Sequence, residues 1–167
     1  MVRTIIILTM FGFLSSDASP LEVGADAPEL TVTNSAGESV ELSEVYAQGP
    51  ALVYFYPKAD TPGCTAQACN LRDSFEKLGE AGIQVIGAST DNVKSQAAFK
   101  EKYSLPFTLV ADPDGELVDA FGVPKKLASL ASRQSFLIVD GKIAWRDLKA
   151  TPKTQSEDAL AALQSSQ

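Results

Sequence analysis

Histidine is absent from the chain. That excludes Ser-His-Asp triads, Cys-His nucleophile pairs and zinc sites with imidazole ligands. Cysteine occurs only twice, at Cys64 and Cys69, too few to complete a thiolate zinc site. No calcium-loop pattern is present, because Asp112-Pro-Asp-Gly-Glu116 is too short and reads as a turn. Basic residues are scarce, 14 against 21 acidic, for a net charge of −7. No basic patch stands out, so nucleic acid is not an expected partner. The longest apolar run, near the N-terminus, is too short for a comfortable transmembrane helix, so no stable membrane association is expected. Repeats and low-complexity tracts are missing as well. What remains is a chain of 167 residues, suited to one domain with a sizeable core.

The first nineteen residues differ from the rest. Arg3 gives a weak positive start, Thr4 to Leu14 are mostly apolar, and small residues follow. Ser16-Asp-Ala18 is a passable small-x-small cleavage site. This resembles a secretory signal peptide over residues 1–19, followed by a domain over 20–167. The expected location is then periplasmic or secreted. The alternatives are a loose extension, with a cytoplasmic protein, or an uncleaved anchor.

Beyond this stretch, strands and helices alternate. Leu30–Thr33 and Ser39–Leu42 flank the turn signal Asn34-Ser-Ala-Gly37, which predicts an N-terminal β-hairpin. Ala51–Tyr56, Ile83–Ala88 and Phe107–Ala111 read as buried strands. Helical spacing predicts a long helix from about Cys64 to Gly82, another over Asn92–Tyr103 with Val93 and Ala97 inward, and a short one over Glu116–Phe121. Val123-Pro-Lys-Lys126 reads as loop. Gln134–Asp140 and Lys142–Arg146 predict a hairpin, and Thr154–Gln164 a terminal helix with Leu160 and Leu163 inward. The alternation implies βαβ units and a partly parallel sheet. It fits an α/β, thioredoxin-like fold, a central mixed sheet flanked by helices.

Both cysteines lie in the stretch Tyr54–Cys69, where a strand, a Pro/Gly-rich turn and a helix meet. Cys64 falls in the first helical turn. The first N–H groups of a helix lack acceptors and carry partial positive charge, which stabilises a thiolate. Thr61 precedes it by one turn and can place a hydroxyl beside the sulfur. Cys69 follows by five residues, so the two side chains point about 140° apart with Cα atoms about 8 Å from one another. A disulfide tolerates about 7 Å, so bridging the pair requires the helix start to unwind. Two unrelated core cysteines remain the simpler alternative at this point.

The residues around them carry more. Pro57-x-x-x-Thr61-x-x-Cys64 resembles the peroxidatic motif of the peroxiredoxins. The fuller string from Tyr56 to Cys69, Tyr-Pro-Lys-Ala-x-Thr-Pro-Gly-Cys-Thr-x-Gln-Ala-Cys, is similar to that of the bacterioferritin comigratory protein / peroxiredoxin Q subfamily. The resemblance covers most of the chain from Val23 onward. It implies a thiol peroxidase with Cys64 peroxidatic, Cys69 resolving and a redox-active Cys64–Cys69 disulfide. It also implies that Arg133, just before Gln134-Ser-Phe-Leu-Ile138, reaches the peroxidatic sulfur together with Pro57 and Thr61. Without it, Arg133 would read as a strand-edge residue paired with a surface carboxylate. The implied substrates are hydrogen peroxide and organic hydroperoxides. The implied partner is thioredoxin or a glutaredoxin-like reductant, with no metal or other cofactor and a monomeric chain. Outside the cytoplasm such a dithiol needs a dedicated reductant. The rival is a thiol-disulfide oxidoreductase on the same fold, but such enzymes usually carry Cys-x-x-Cys, which is missing here.

Overall fold

The computed structural model describes residues 19–166. The leader expected over residues 1–19 lies outside the described residues except for Ser19. A short hairpin opens the domain, β1 (Thr31–Asn34) with β2 (Ser39–Glu41). Its turn is fixed by Asn34, whose Oδ1 accepts from Ala36 N at 2.8 Å and Glu38 N at 3.0 Å. Helix α1 (Leu42–Ala47) leads into β3 (Ala51–Phe55), which is buried along its whole length. Helices α2 (Pro62–Asp73) and α3 (Phe75–Glu80) follow, then β4 (Gln84–Ser89), α4 (Val93–Lys102), β5 (Thr108–Ala111) and α5 (Glu116–Ala120). A separate small hairpin pairs β6 (Lys125–Lys126) with β7 (Leu130–Ala131). The chain closes with β8 (Gln134–Val139), β9 (Lys142–Asp147) and α6 (Gln155–Ser165).

The main sheet has seven strands in the order β2-β1-β5-β4-β3-β8-β9. Strands β3, β4 and β5 are parallel, and the other pairings are antiparallel. This is the central mixed sheet with an N-terminal hairpin at its edge that the sequence predicts. Because side chains alternate along a strand, β3 feeds two cores. Val53 and Phe55 join Phe121, Phe136 and Leu117 under α1 and α5. Leu52 and Tyr54 join Leu71, Leu78, Phe99 and Leu163 under α2, α3, α4 and α6. Gly87 lies directly under the Tyr54 ring. A Cβ there would sit 2.7 Å from Tyr54 Cζ, so only glycine lets β4 run beside β3 at this point.

Three expectations are corrected. The long helix from Cys64 to Gly82 is two helices, bent at Ser74 (φ −105°, ψ 9°). Ser74 N still donates to Asn70 O (3.2 Å) and Leu78 N to Ser74 O (2.9 Å), so the apolar spacing continues through the bend and hides it. In α4 the inward residues are Gln96 and Phe99, while Ala97 is exposed. Gln96 is buried because its amide is fully used, donating to Ser89 Oγ (2.8 Å) and Val110 O (2.9 Å) and accepting from Tyr56 Oη (2.5 Å). In α6 Leu163 is buried and Leu160 packs half-buried against the same core, as expected, with Ala159 and Ala162 buried beside them. Lys125 and Lys126, expected as loop, pair with Ala131 and Leu130.

Candidate active site

Strand β3 delivers the chain to the site. Its last pairing contact is Tyr56 N to Ala88 O, 3.1 Å. Pro57 has no N–H to continue the ladder, so the chain leaves the sheet there. The loop that follows is held at two points. Ala59 N donates to Asp91 Oδ2 at 2.8 Å. Asp60, at φ 59°, accepts from Lys102 Nζ (2.8 and 2.9 Å) and from Tyr103 Oη (2.6 Å). These hydrogen bonds from Lys102 and Tyr103 hold the Asp60 carboxyl below the usual carboxylate range.

Thr61 is the N-cap of α2 and Pro62 its first residue, a favoured place for proline. An N-cap hydroxyl ordinarily accepts from the N–H two or three residues on. Here Thr61 Oγ1 donates to Lys58 O instead, at 2.9 Å, and makes no cap bond. The first backbone bond of the helix is Thr65 N to Thr61 O, 2.8 Å. Among the described residues the Cys64 N–H therefore stays unclaimed, at the positive end of a helix. Cys64 itself is 2 % exposed. Cys69, on the same unbroken helix, is half-buried, and both thiols are free.

Arg133, just before β8, reaches across to the sulfur. Its Nη2 lies 3.4 Å from Cys64 Sγ. Gly63 makes room for it, since a Cβ there would stand 3.1 Å from Nη2. The other arm of the guanidinium, Nη1, donates to Gln67 Oε1. That fixes the Gln67 amide, whose Nε2 must point away and donates to Gln155 Oε1 at 2.6 Å. Ser135 Oγ donates to the same oxygen at 2.8 Å. Gln67, Gln155 and Ser135 are each fully enclosed. The cation over the sulfur is thus braced by a buried polar relay that ends in α6 and β8. Gln155 Nε2 finds no partner among the described residues. Tyr54 is fully buried nearby, and burial first, with smaller contributions from its ionisable neighbours, pushes its phenol well above the usual range, so it stays neutral.

Of the residues singled out in sequence, Arg133 and Cys64 are in contact. Thr61 is the cap of the helix that carries Cys64, and Pro57 marks the strand exit. Cys69 stands on a different face of α2. Gln67, Gln155 and Asn70 were not anticipated. Gln67 sits one turn after Cys64, a spacing that could have pointed to it. Asn70 works at a distance, donating to Lys153 O (2.9 Å) while its Oδ1 accepts from Ser156 N (2.9 Å). Helix α6 has no side-chain cap of its own, so Asn70 on α2 caps it. Asn70→Ala is expected to cost about 1–2 kcal/mol in urea unfolding. Amide exchange at Ser156 should accelerate with it. Unchanged exchange at Ser156 would mean the cap carries no weight.

No group of metal-ligating side chains occurs among the described residues. No helix among them is long and apolar enough to cross a membrane.

Residues 23–146 match the AhpC/TSA family. Peroxiredoxin Bcp of Escherichia coli (strain K12) is 44% identical over 132 residues, covering 75% of this chain and 84% of that protein. The chloroplastic peroxiredoxin Q of Oryza sativa subsp. japonica is 45% identical over 116 residues, covering 69% of this chain but only 53%, about half, of the rice protein. Among solved structures, peroxidoxin BcpB from Mycobacterium tuberculosis superposes with a TM-score of 0.82 at 30% identity, over 87% of this chain and 97% of that one. Peroxiredoxin Q from Xanthomonas campestris gives 0.78 at 31% identity, over 89% and 98%. With Cys64 and Arg133 inside the matched segment and relatives of these names, the chain belongs to the AhpC/TSA family, in the company of the peroxiredoxins of the Q and Bcp kind.

Proposed function

We propose that the chain is a thiol peroxidase that reduces hydrogen peroxide and organic hydroperoxides at Cys64 and recycles through a Cys64–Cys69 disulfide. The observation that carries this reading is the Arg133 guanidinium, 3.4 Å from a buried sulfur at a helix N-terminus. The thiolate attacks one peroxide oxygen and the O–O bond breaks. Cys64 becomes a sulfenic acid, and the departing oxygen takes up a proton and leaves as water or an alcohol. Arg133 and the Cys64 N–H hold charge as it develops on the oxygens. The Thr61 hydroxyl, whose proton is committed to Lys58 O, accepts from the peroxide O–H and orients it. Pro57 shapes the loop that presents Thr61.

Resolution needs motion. With α2 intact the two Cα atoms stand about 8 Å apart, so the first turns must unwind before Cys69 can attack the sulfenic acid and release water. The Arg133–Cys64 contact and the Gln67–Gln155 bond break in that step. An external dithiol, thioredoxin or a glutaredoxin-like protein, then reduces the disulfide. No step calls for a metal, flavin or haem. The working unit proposed is a monomer, since Cys64, Cys69, Thr61 and Arg133 suffice for the cycle. The likeness of residues 1–19 to a secretory signal peptide supports a periplasmic or secreted enzyme, with a cytoplasmic one as the alternative.

Stopped-flow reaction of the reduced protein with hydrogen peroxide, followed by mass analysis, tests the reading. Loss of two thiols to one Cys64–Cys69 disulfide, far faster than free cysteine reacts, is the expected result. Reaction no faster than free cysteine would sink the peroxidase and favour disulfide exchange with protein substrates.

A further inference from the structure

The loop that presents Thr61 turns on one peptide unit, Lys58–Ala59. Its carbonyl accepts from Thr61 Oγ1 at 2.9 Å, and its N–H donates to Asp91 Oδ2 at 2.8 Å. Neither group has another partner among the described residues. In a planar trans peptide the C=O and the N–H point in opposite directions, so fixing one fixes the other. A cleft of about 240 Å³, lined in part by Lys58, Ala59, Asp60 and Asp91, leaves this peptide room to turn over. Turned over, it would aim the Lys58 carbonyl at Asp91. A carboxylate only accepts hydrogen bonds, so it holds the N–H and repels the carbonyl.

Asp91 is itself held from the core. Tyr56 Oη donates to Gln96 Oε1 (2.5 Å), Gln96 Nε2 to Ser89 Oγ (2.8 Å) and Ser89 Oγ to Asp91 Oδ2 (2.7 Å). Tyr56, Ser89 and Gln96 are buried, so the carboxylate is the end acceptor of an anchored chain whose polarity is set throughout. The other tether of the loop, Asp60 with Lys102 and Tyr103, lies on the surface. The Lys102 and Asp60 side chains are 58 % and 45 % exposed, and such pairs are screened and hold geometry weakly. The orientation of the Lys58–Ala59 peptide therefore rests on Asp91.

Building on the proposed peroxidase reading, we propose that Asp91 is a positioning residue for peroxide reduction, fixing the Lys58–Ala59 peptide so that the Thr61 hydroxyl donates into the protein and accepts from the peroxide. With the peptide as it stands, the Thr61 proton is committed to Lys58 O and the lone pairs of the hydroxyl are free for the peroxide O–H. With the peptide turned over, Thr61 loses that acceptor. Its hydroxyl then rotates, and its proton competes with the proton of the peroxide. Asp91 acts through Thr61 and not on the sulfur. Arg133 and the helix N-terminus stabilise the thiolate; Asp91 sets the direction from which the O–O bond is offered to it.

The test sets two reagents against each other on full chains that carry Cys69→Ser, in which Cys64 is the one thiol left. Hydrogen peroxide must have its O–H oriented; iodoacetamide alkylates the same thiolate and has no O–H to orient. Asp91→Ala should slow the peroxide reaction about tenfold, the scale of losing one orienting contact. The alkylation rate and its pH midpoint should stay where they were. Asp91→Asn keeps an acceptor for the Ala59 N–H but also offers an NH2 group to a turned carbonyl, so its peroxide rate should fall between the two. In a Thr61→Val background, Asp91→Ala should change the peroxide rate by less than about twofold, because the group it positions is gone. In the parent the Ala59 amide should exchange slowly. A parent rate in Asp91→Ala, an equal loss in alkylation, no rescue in Asp91→Asn, or the same loss in the Thr61→Val background overturns the proposal. So does an unprotected Ala59 amide in the parent, a readout that depends on no variant folding. The peroxidase reading has its own control: if the parent reacts with hydrogen peroxide no faster than free cysteine, that reading falls first.

Discussion

Cys69→Ser consumes one equivalent of peroxide per chain and then stops when thioredoxin is the only reductant. The expectation follows from where the two thiols sit. Cys64 has the helix N-terminus, the unclaimed N–H and the Arg133 guanidinium; Cys69 has none of these. Removing Cys69 leaves the first chemical step intact, so the burst of sulfenic acid should form at the parent rate. It removes only the thiol that closes the disulfide. Steady-state turnover should fall by at least about 10²-fold, because a dithiol protein must then attack a 2 % exposed sulfur directly. Cys64→Ser should abolish both burst and turnover. The measurement is NADPH oxidation coupled through thioredoxin reductase, beside a single-turnover titration of peroxide consumed. Normal turnover of Cys69→Ser with thioredoxin would replace the two-cysteine cycle with a one-cysteine one.

That asymmetry between the two cysteines was legible in the sequence because it is local. A strand ending at a proline, a glycine-rich turn and a helix start are each marked by residues next to one another, and Cys64 sits where they meet. The sheet was legible for the same reason, since β3, β4 and β5 are short apolar runs between turn signals. What was not legible is long-range polar contact. Gln67 and Gln155 are separated by 88 positions, and nothing near either one says that they meet at 2.6 Å. Asn70 looks like an ordinary helix residue, although it caps a helix 86 positions away. The bend at Ser74 escaped because Leu71, Phe75 and Leu78 keep their spacing across it. The helical pattern puts Ala97 inward, whereas Gln96 takes the inner place through its hydrogen bonds. Hydrophobic periodicity finds faces that are buried by exclusion from water. It does not see polar side chains that are buried through hydrogen bonds made inside the fold.

Arg133→Met is expected to lower the second-order rate with hydrogen peroxide by about 10²–10³-fold, the usual scale for losing one positioned donor to developing negative charge. Two functions are lost together: a cation 3.4 Å from the sulfur and a donor aimed where the peroxide oxygens must lie. Arg133→Lys separates them. It keeps the charge but has no planar fork, so a single ammonium cannot face Cys64 Sγ and Gln67 Oε1 at once with the same geometry. Its rate should recover only part of the loss. Gln67→Ala supplies the complementary test. It leaves the guanidinium in place but removes its brace, so the rate should fall less than in Arg133→Met. It also cuts one tie between α2 and α6, so unwinding becomes easier and the disulfide should close faster once sulfenic acid has formed. Stopped-flow fluorescence resolves the two phases in one trace. Full recovery in Arg133→Lys would mean that charge alone matters and that the buried relay from Gln67 to Gln155 serves the fold, not the reaction. A slower first phase with a faster second phase in Gln67→Ala would place the relay in both, holding the cation over the thiolate while α2 is wound and releasing it as the helix opens.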